Sequence, residues 1–130
     1  MTDAGEPIEG QILLLAAAKA SVAPSQLPDL VDRVQHYLVA DIERHRRSAE
    51  CPYEDDDRIV LLFETGFWER IGSTLALEER EWDAVSRAHA EQFRRIGRRR
   101  DREAEFETAL EIREPVCIGR PTADERDKTG

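Results

Sequence analysis

The sequence predicts a mostly helical α+β fold in which four to five helices accompany a small antiparallel sheet of two or three strands. Apolar residues recur every three or four positions through several long stretches, which is typical of amphipathic helices. Residues 58–63 (RIVLLF) instead form a continuous apolar run that is bounded by turn residues. Such a run favours a buried strand, with a short buried helix as the alternative.

We expect one globular domain over residues 7–120, with mobile tails at residues 1–6 and 121–130. A chain of 130 residues, of which 40% are hydrophobic, is long enough to bury a core without a disulfide or a metal. Two cysteines, Cys51 and Cys117, are too few for a disulfide scaffold. Buried free thiols are expected, and a single bridge between them is the alternative.

The first half of the chain predicts two helices. The first covers about residues 7–20, and its spacing places on one face Ile8, Ile12, Leu15 and Val22. The second has Ser25 as its N-cap and ends near Ser48, because the residue before Pro52 disfavours helical geometry. Its apolar positions recur at about every fourth residue: Leu30, Val34, Leu38, Ile42 and His45.

The second half begins with an acidic turn at residues 54–57, which is too acidic to be buried. The strand at residues 58–63 is expected to form a hairpin with residues near Tyr53. A short helix at residues 67–75 follows, and the longest helix runs from Glu78 to about Arg98. Its apolar stripe covers about one-third of the circumference and contains Trp82, Val85, His89, Phe93 and Ile96.

The end of the chain predicts one more helix and one more strand. Gly97 suits a helix end or a kink, and Asp101 is expected to cap a helix that continues to Leu110. Residues 116–118 then form an edge strand beside residues 59–63.

The numbers of acidic and basic residues indicate the salt concentration in which this protein works. Seventeen arginines, two lysines and 28 acidic residues give a net charge of -9. A surface rich in carboxylates stays hydrated and dispersed in concentrated salt, so we interpret the composition as that of a halophilic protein. A GC-rich genome is the alternative, and it explains the excess of arginine over lysine but not the net charge.

A basic run at residues 94–102 contrasts with this acidic background, since Asp101 is its one acid. Guanidinium groups bind phosphates and carboxylates through paired hydrogen bonds, so the run predicts a site for an anion or an acidic partner. The candidate residues are Arg94, Arg95, Arg98, Arg99, Arg100 and Arg102. The alternative is structural, because cations are favoured in the last turn of a helix and can pair with Glu103, Glu105 and Glu107.

No catalytic residue, metal site or cofactor is predicted. The sequence contains no phosphate-binding glycine loop, dinucleotide fingerprint or nucleophile elbow, and its three histidines and two cysteines are scattered singly. We expect His89 to pack in the core with one ring nitrogen satisfied, and His45 to be similar. An enzyme with an active site assembled from distant residues is the third functional hypothesis.

The leading hypothesis is a non-enzymatic protein-interaction or regulatory module. The first helix is apolar on three sides because of Ile12, Leu13, Leu14 and Leu15. It suits either a deep core or a homodimer interface, so the partner is expected to be another protein or a second copy.

A nucleic-acid-associated regulator that uses residues 94–102 is the alternative class of function. Salt weakens such binding, and the recognition helix of a helix-turn-helix drawn here would begin with Glu78, Glu79 and Glu81. No membrane partner is predicted, because no stretch approaches the ~20 apolar residues of a membrane-spanning helix. The expected location is therefore the cytoplasm.

Two segments carry a family resemblance. Residues 66–72 (GFWERIG), residues 88–116 and the acidic background resemble small uncharacterised proteins of halophilic archaea, of the kind grouped as domains of unknown function. The resemblance covers the C-terminal half of the chain. It implies a salt-adapted cytoplasmic protein and transfers no catalytic or binding residue.

Overall fold

The computed structural model describes residues 7–120, in which helices surround a three-stranded antiparallel sheet. The described elements are, in chain order, α1 (Gly10–Lys19), α2 (Leu27–Val39), α3 (Ile42–Arg47), β1 (Glu50–Glu54), β2 (Arg58–Glu64), α4 (Phe67–Thr74), α5 (Glu79–Arg99), α6 (Glu103–Ile112) and β3 (Arg113–Gly119). The predicted mostly helical α+β class is confirmed. The predicted tails at residues 1–6 and 121–130 lie outside the described residues. No helix within the described range is long and apolar enough to cross a membrane.

The apolar run of the sequence is the central strand of the sheet. Strand β2 pairs antiparallel with β1 on one side and with β3 on the other. Every residue from Ile59 to Phe63 is buried. Because neighbouring side chains on a strand point to opposite faces, this burial means that both faces of β2 are covered. The strand prediction is confirmed, and the helical alternative is wrong.

The hairpin turn between β1 and β2 is built by Asp55. Its Oδ1 accepts hydrogen bonds from the backbone N–H groups of Asp57 and Arg58, each at 2.8 Å, and its Oδ2 accepts one from the Tyr53 hydroxyl. Asp55 is therefore half-buried, whereas Asp56 and Asp57 are exposed as predicted. A short acidic side chain that bonds the backbone two and three residues ahead is a common way to fix a turn.

The second predicted helix is divided into α2 and α3. The described residues therefore contain six helices, where the sequence predicts at most five. The chain leaves helical geometry at Asp41, whose φ is -139° and ψ is 45°. Asp41 is the N-cap residue of α3, and its carboxylate accepts a hydrogen bond from Arg44 Nε instead of from a backbone N–H. Aspartate is a poor residue for a helix interior and a favoured one at a helix start. The prediction of one continuous helix to Ser48 is therefore wrong. The predicted burial of Leu38 and His45 is confirmed on either side of the break.

Helix α5 is the central helix of the fold. It begins at a capping box. The Glu78 side chain accepts a hydrogen bond from the backbone N–H of Glu81, and the Glu81 side chain accepts one from the backbone N–H of Glu78. It packs against α1, α2, α4, α6 and β3. The predicted stripe is buried at Val85, His89, Phe93 and Ile96, while Trp82 is half-buried.

Gly97 permits the close approach of α6 to α5. A Cβ atom at this position would lie 2.9 Å from the ring of Phe106, which stacks on Phe93 with a centroid distance of 4.2 Å. Gly97 therefore lies in the last turn of α5, two residues before the helix ends at Arg99 and close to the predicted end near Arg98. Asp101 lies in the connection with a left-handed φ of 59°, and α6 begins two residues later.

The outer edge of β3 is closed by side chains. The backbone N–H of Cys117 donates to His89 Nδ1 at 2.8 Å. The amide of Gln35 donates to the Cys117 carbonyl at 2.8 Å and accepts from the Gly119 N–H at 3.1 Å. These three bonds replace those of a neighbouring strand. The predicted edge strand is confirmed, and helices cover its free side.

Replacement of Gln35 tests this closure. We expect Gln35→Ala to lower the free energy of unfolding by about 2–4 kcal/mol, since two part-buried backbone groups lose their partner. Urea denaturation measures the effect. The control is Gln11→Ala, which removes an exposed glutamine of α1. An equal and small effect of the two substitutions would contradict the structural role of Gln35.

Candidate functional site: an apolar groove beside the arginine cluster

Helix α1 has an inner and an outer apolar face. Ile12, Ala16 and Ala17 are buried against the rest of the fold. Leu14 and Leu15 point outward and are 58% and 57% exposed. The predicted position of Leu15 on the buried face is therefore wrong. Because α1 carries leucines on nearly all sides, its periodicity does not distinguish the two faces.

A groove of about 330 Å³ lies between α1 and α5. Its α1 side consists of Ile12, Leu15, Ala16 and Lys19, and its α5 side of Ser86, Arg87, Ala90, Glu91, Arg94 and Arg95. The floor is apolar, and four cations stand around it against a single carboxylate. Three of these cations are already paired: Arg87 with Asp83 at 2.7 Å, Arg94 with Glu91 and Glu107, and Arg95 with Glu9. The groove therefore combines exposed hydrophobic surface with a rim of ion pairs, on which Lys19 has no ion pair with residues 7–120.

One end of the groove is held together by Glu9. Its carboxylate accepts hydrogen bonds from Arg95 at 3.1 Å, from Arg99 at 2.7 and 3.0 Å and from the Gln92 amide at 2.9 Å. The Glu9 N–H donates in return to Gln92 Oε1 at 2.8 Å. These bonds, above all those of Arg99, lower the pKa of Glu9 from 4.5 to about 2. We call this set of contacts the Glu9 clamp; it fixes the start of α1 on α5.

The remaining arginines of the predicted site have separate environments. Arg94 pairs with Glu91 at 2.7 Å and with Glu107 at 3.1 Å. Arg102 pairs with Glu105 at 2.6 Å.

Two arginines lie near aromatic rings. The guanidinium of Arg100 lies 5.4 Å from the Tyr53 ring centroid and 3.8 Å from Asp55, and that of Arg102 lies 4.9 Å from the Phe106 ring centroid. Arg98 is exposed and has no ion pair with the described part of the chain.

The structure thus divides the six arginines instead of gathering them at one point. Arg95 and Arg99 converge on Glu9, Arg94 reaches the groove, and Arg100 and Arg102 face other elements. The predicted pairing with the following glutamates is present for two of the arginines. The prediction that the six bind an external anion or partner stays a prediction.

The Glu9 partnership had no signal in the sequence. Glu9 is 86 positions from Arg95 and 90 from Arg99, and no spacing rule connects residues that far apart. Asp55, the partner of Arg100, is similarly remote. In contrast, Glu105 and Glu107 follow residues 94–102 by only a few positions, so their closeness to the arginines can be predicted from the sequence.

His89 and Cys117 form a buried pair outside the groove. His89 is fully buried, which lowers its pKa to about 3, and its Nδ1 accepts the Cys117 N–H. Burial raises the pKa of the Cys117 thiol to about 12. The pair is therefore uncharged at neutral pH and is part of the core, as expected for His89. Both cysteines are free, but Cys51 is exposed, contrary to the expectation of two buried thiols.

The Glu9 clamp makes a prediction about pH. Because the pKa of Glu9 is depressed in the folded state, its contribution to stability is complete above pH 4.5 and is lost as the pH falls toward about 2. We expect Glu9→Gln to lower the free energy of unfolding near neutral pH by about 2 kcal/mol. The difference from the wild-type protein should shrink between pH 4.5 and about 2.

Urea denaturation at a series of pH values measures both effects. The control is Glu43→Gln, an exposed residue without an ion pair in residues 7–120, and it should leave stability unchanged. A deficit for Glu9→Gln that stays constant down to the lowest pH would rule out a stabilising carboxylate.

The comparisons with known proteins identify a family but no activity. A family model described as "Domain of unknown function (DUF8048)" matches residues 6–120. No curated protein and no solved structure matches the chain. The expected kind of family is therefore found, whereas halophilic and archaeal origin stay predictions. Because the match extends over most of the sequence, the chain belongs to the DUF8048 family.

Proposed function

We propose that the protein is a non-enzymatic interaction module that binds an acidic amphipathic helix of a partner protein in the groove between α1 and α5. The observation that carries this proposal is Leu15 of α1, which is 57% exposed and lines the groove beside the cations, while the equally exposed Leu14 lies on the same helix outside the groove lining. A partner helix would lay its apolar side on the leucines and its carboxylates along the rim.

The apolar part of the groove supplies the affinity. Burying a leucine side chain contributes about 1.5–3 kcal/mol relative to leaving it in water. Leu14 and Leu15 are more than half exposed, and Ile12, Ala16 and Ala90 form the floor beside them. A partner that covers the two leucines buries apolar surface that this chain leaves in water, whereas Ile12 and Ala16 are already buried.

The charges around the groove select the partner. Lys19, Arg87, Arg94 and Arg95 line it together with one acid, Glu91. The three arginines already pair with acids, but each uses only one or two of its five N–H donors in doing so, which leaves donors for a partner carboxylate. Complementary charges guide the approach of a partner and disfavour partners of the same sign. A second copy would bring the same cations to the same place, so charge favours an acidic partner over a homodimer.

Nucleic acid is disfavoured at this surface by the acids within it. Glu9, Glu91 and Glu107 lie within 3.1 Å of the arginines with which they pair. A phosphate backbone that contacted the arginines would approach these carboxylates. A partner helix meets the same carboxylates, but its apolar side also covers the exposed Leu15, which a phosphate backbone cannot do.

Binding of two synthetic helical peptides tests the proposal. Both carry leucines at positions i, i+3, i+4 and i+7, flanked by glutamates in one peptide and by lysines in the other. Fluorescence anisotropy should show the acidic peptide binding at least about tenfold more tightly than the basic one. Leu15→Asp should weaken the acidic peptide by about tenfold or more, because it places a charge in the apolar face.

The matched control is Val39→Asp, which changes an apolar residue of α2 that is 50% exposed and lies outside the groove. It should leave binding unchanged. Equal binding of the two peptides, or unchanged binding to Leu15→Asp, would overturn the proposal. If light scattering shows a dimer, and Leu15→Asp converts it to monomers, the groove is occupied by a second copy of the chain and not by a partner protein. Competition by duplex DNA would favour the nucleic-acid alternative.

We infer in addition that the protein is adapted to concentrated salt. The net charge of -9 and the near absence of lysine support this inference. Screening of exposed charges is nearly complete at about 1 M salt, where the Debye length is ~3 Å. Stability that keeps rising to ~2 M KCl would therefore exceed simple screening. Thermal unfolding across this range is the measurement, and equal stability at ~0.1 M and ~2 M would contradict the inference.

A further inference from the structure

A second pocket, which shares no residue with the groove, lies among α2, α3, β2 and α4. Its volume is about 290 Å³. Aromatic rings and cations dominate its lining, which includes Tyr37, Arg44, His45, Phe63, Phe67 and Arg70. No carboxylate lines it, on a chain that carries 28 acidic residues. The pocket is therefore a positively charged and partly aromatic environment.

His45 is the buried polar group of this pocket. Its side chain is 8% exposed, and its Nε2 is buried without a hydrogen-bond partner among residues 7–120. The imidazole lies between the rings of Tyr37 and Phe63, with centroid distances of 5.9 and 6.1 Å. A buried polar atom without a partner costs about 1–3 kcal/mol, and folded proteins leave few of them.

The two arginines differ in their existing partners. Arg44 already pairs with Asp41 on the same side of the pocket. Arg70 is exposed and has no ion pair with any residue that the structure describes. A guanidinium group that is not neutralised beside a half-enclosed pocket attracts a carboxylate or a phosphate.

We propose that this pocket binds a small oxyanion that carries a planar ring, such as an aromatic carboxylate or an aryl phosphate. The oxyanion pairs with Arg70 and Arg44, and the ring lies against Tyr37 and the edges of Phe63 and Phe67. A polar atom of the ligand hydrogen-bonds to His45 Nε2 once the side chains that cover this atom move aside. The volume of about 290 Å³ lies at the lower end of small-molecule sites, which fits a single ring with its charged group.

The proposal is one of binding and not of catalysis. A histidine that acts as a general base usually has a carboxylate that orients it, and none lines this pocket. Burial and the adjacent Arg44 lower the pKa of His45, so its imidazole is neutral near pH 7. A neutral ring donates one hydrogen bond and accepts another.

Titration of four small molecules, followed by two-dimensional NMR of the backbone amides, tests the pocket. Benzoate and phenyl phosphate each carry a ring and a charge, benzyl alcohol carries only the ring, and inorganic phosphate carries only the charge. We expect the ring anions to bind several-fold more tightly than either control. The shifted amides should lie at residues 44–48 and 67–74. The tighter of benzoate and phenyl phosphate identifies the preferred anion.

Two variants connect binding to the pocket. Arg70→Gln should weaken the preferred anion by about tenfold without changing the melting temperature, because the residue is exposed. The matched control, Arg47→Gln, removes the same charge from an exposed position outside the pocket. His45→Phe keeps a buried ring and removes both nitrogens, so it should fold and lose affinity.

Several results would overturn the proposal. These are the absence of shifts with all four molecules at millimolar concentration, equal affinity of inorganic phosphate and phenyl phosphate, and shifts confined to residues 94–102. Unchanged affinity in both Arg70→Gln and His45→Phe would do so as well. Because Leu15 and the groove lie elsewhere, these results are independent of the peptide experiment.

Discussion

The hydrogen bond from the Cys117 N–H to His89 Nδ1 is the contact on which the arrangement of this protein depends. It joins the longest helix to the sheet at a fully buried point, where water cannot replace either partner. Helices α1, α4 and α6 all pack on α5, so the position of α5 over β3 sets theirs as well. Burial keeps the imidazole neutral, and a neutral imidazole can accept the bond.

A series of ring contacts runs from the small pocket to α5, the helix that forms one side of the groove. Phe67 in the small pocket stacks on Phe63 at 4.0 Å and meets the edge of Trp68 at 5.3 Å, and Trp68 lies 4.9 Å from His89. His89 in turn belongs to α5, whose outer surface forms half of the groove. The rings form a rigid interior that keeps each region in shape, since aromatic contacts in a dense core leave little freedom.

Local patterns in the sequence predicted most of the elements but not the sites. The continuous apolar run at β2 and the periodic apolar stripe on α5 are both patterns of neighbouring residues, so the strand and the helix could be predicted from the sequence. The break at Asp41 was missed because the apolar spacing continues through it from Leu38 to His45. The Glu9 clamp and the pocket at Arg70 depend on contacts between distant segments. The spacing of residues in the sequence does not predict such contacts. The pairing of Arg95 and Arg99 with Glu9 gives part of the arginine run at residues 94–102 a structural role.

Closure of β3 by Gln35 and His89 has a consequence for how this sheet meets other chains. The free edge of a sheet is a template on which a strand from another molecule can add, and this is a common start of aggregation. At β3 the N–H and C=O groups of Cys117 and the N–H group of Gly119 are already bonded to side chains. Among the described strands β1 keeps an open edge, on which Pro52 removes one donor from a five-residue strand. Strand β3 is therefore protected against strand addition, and any growth of the described sheet would have to start at β1.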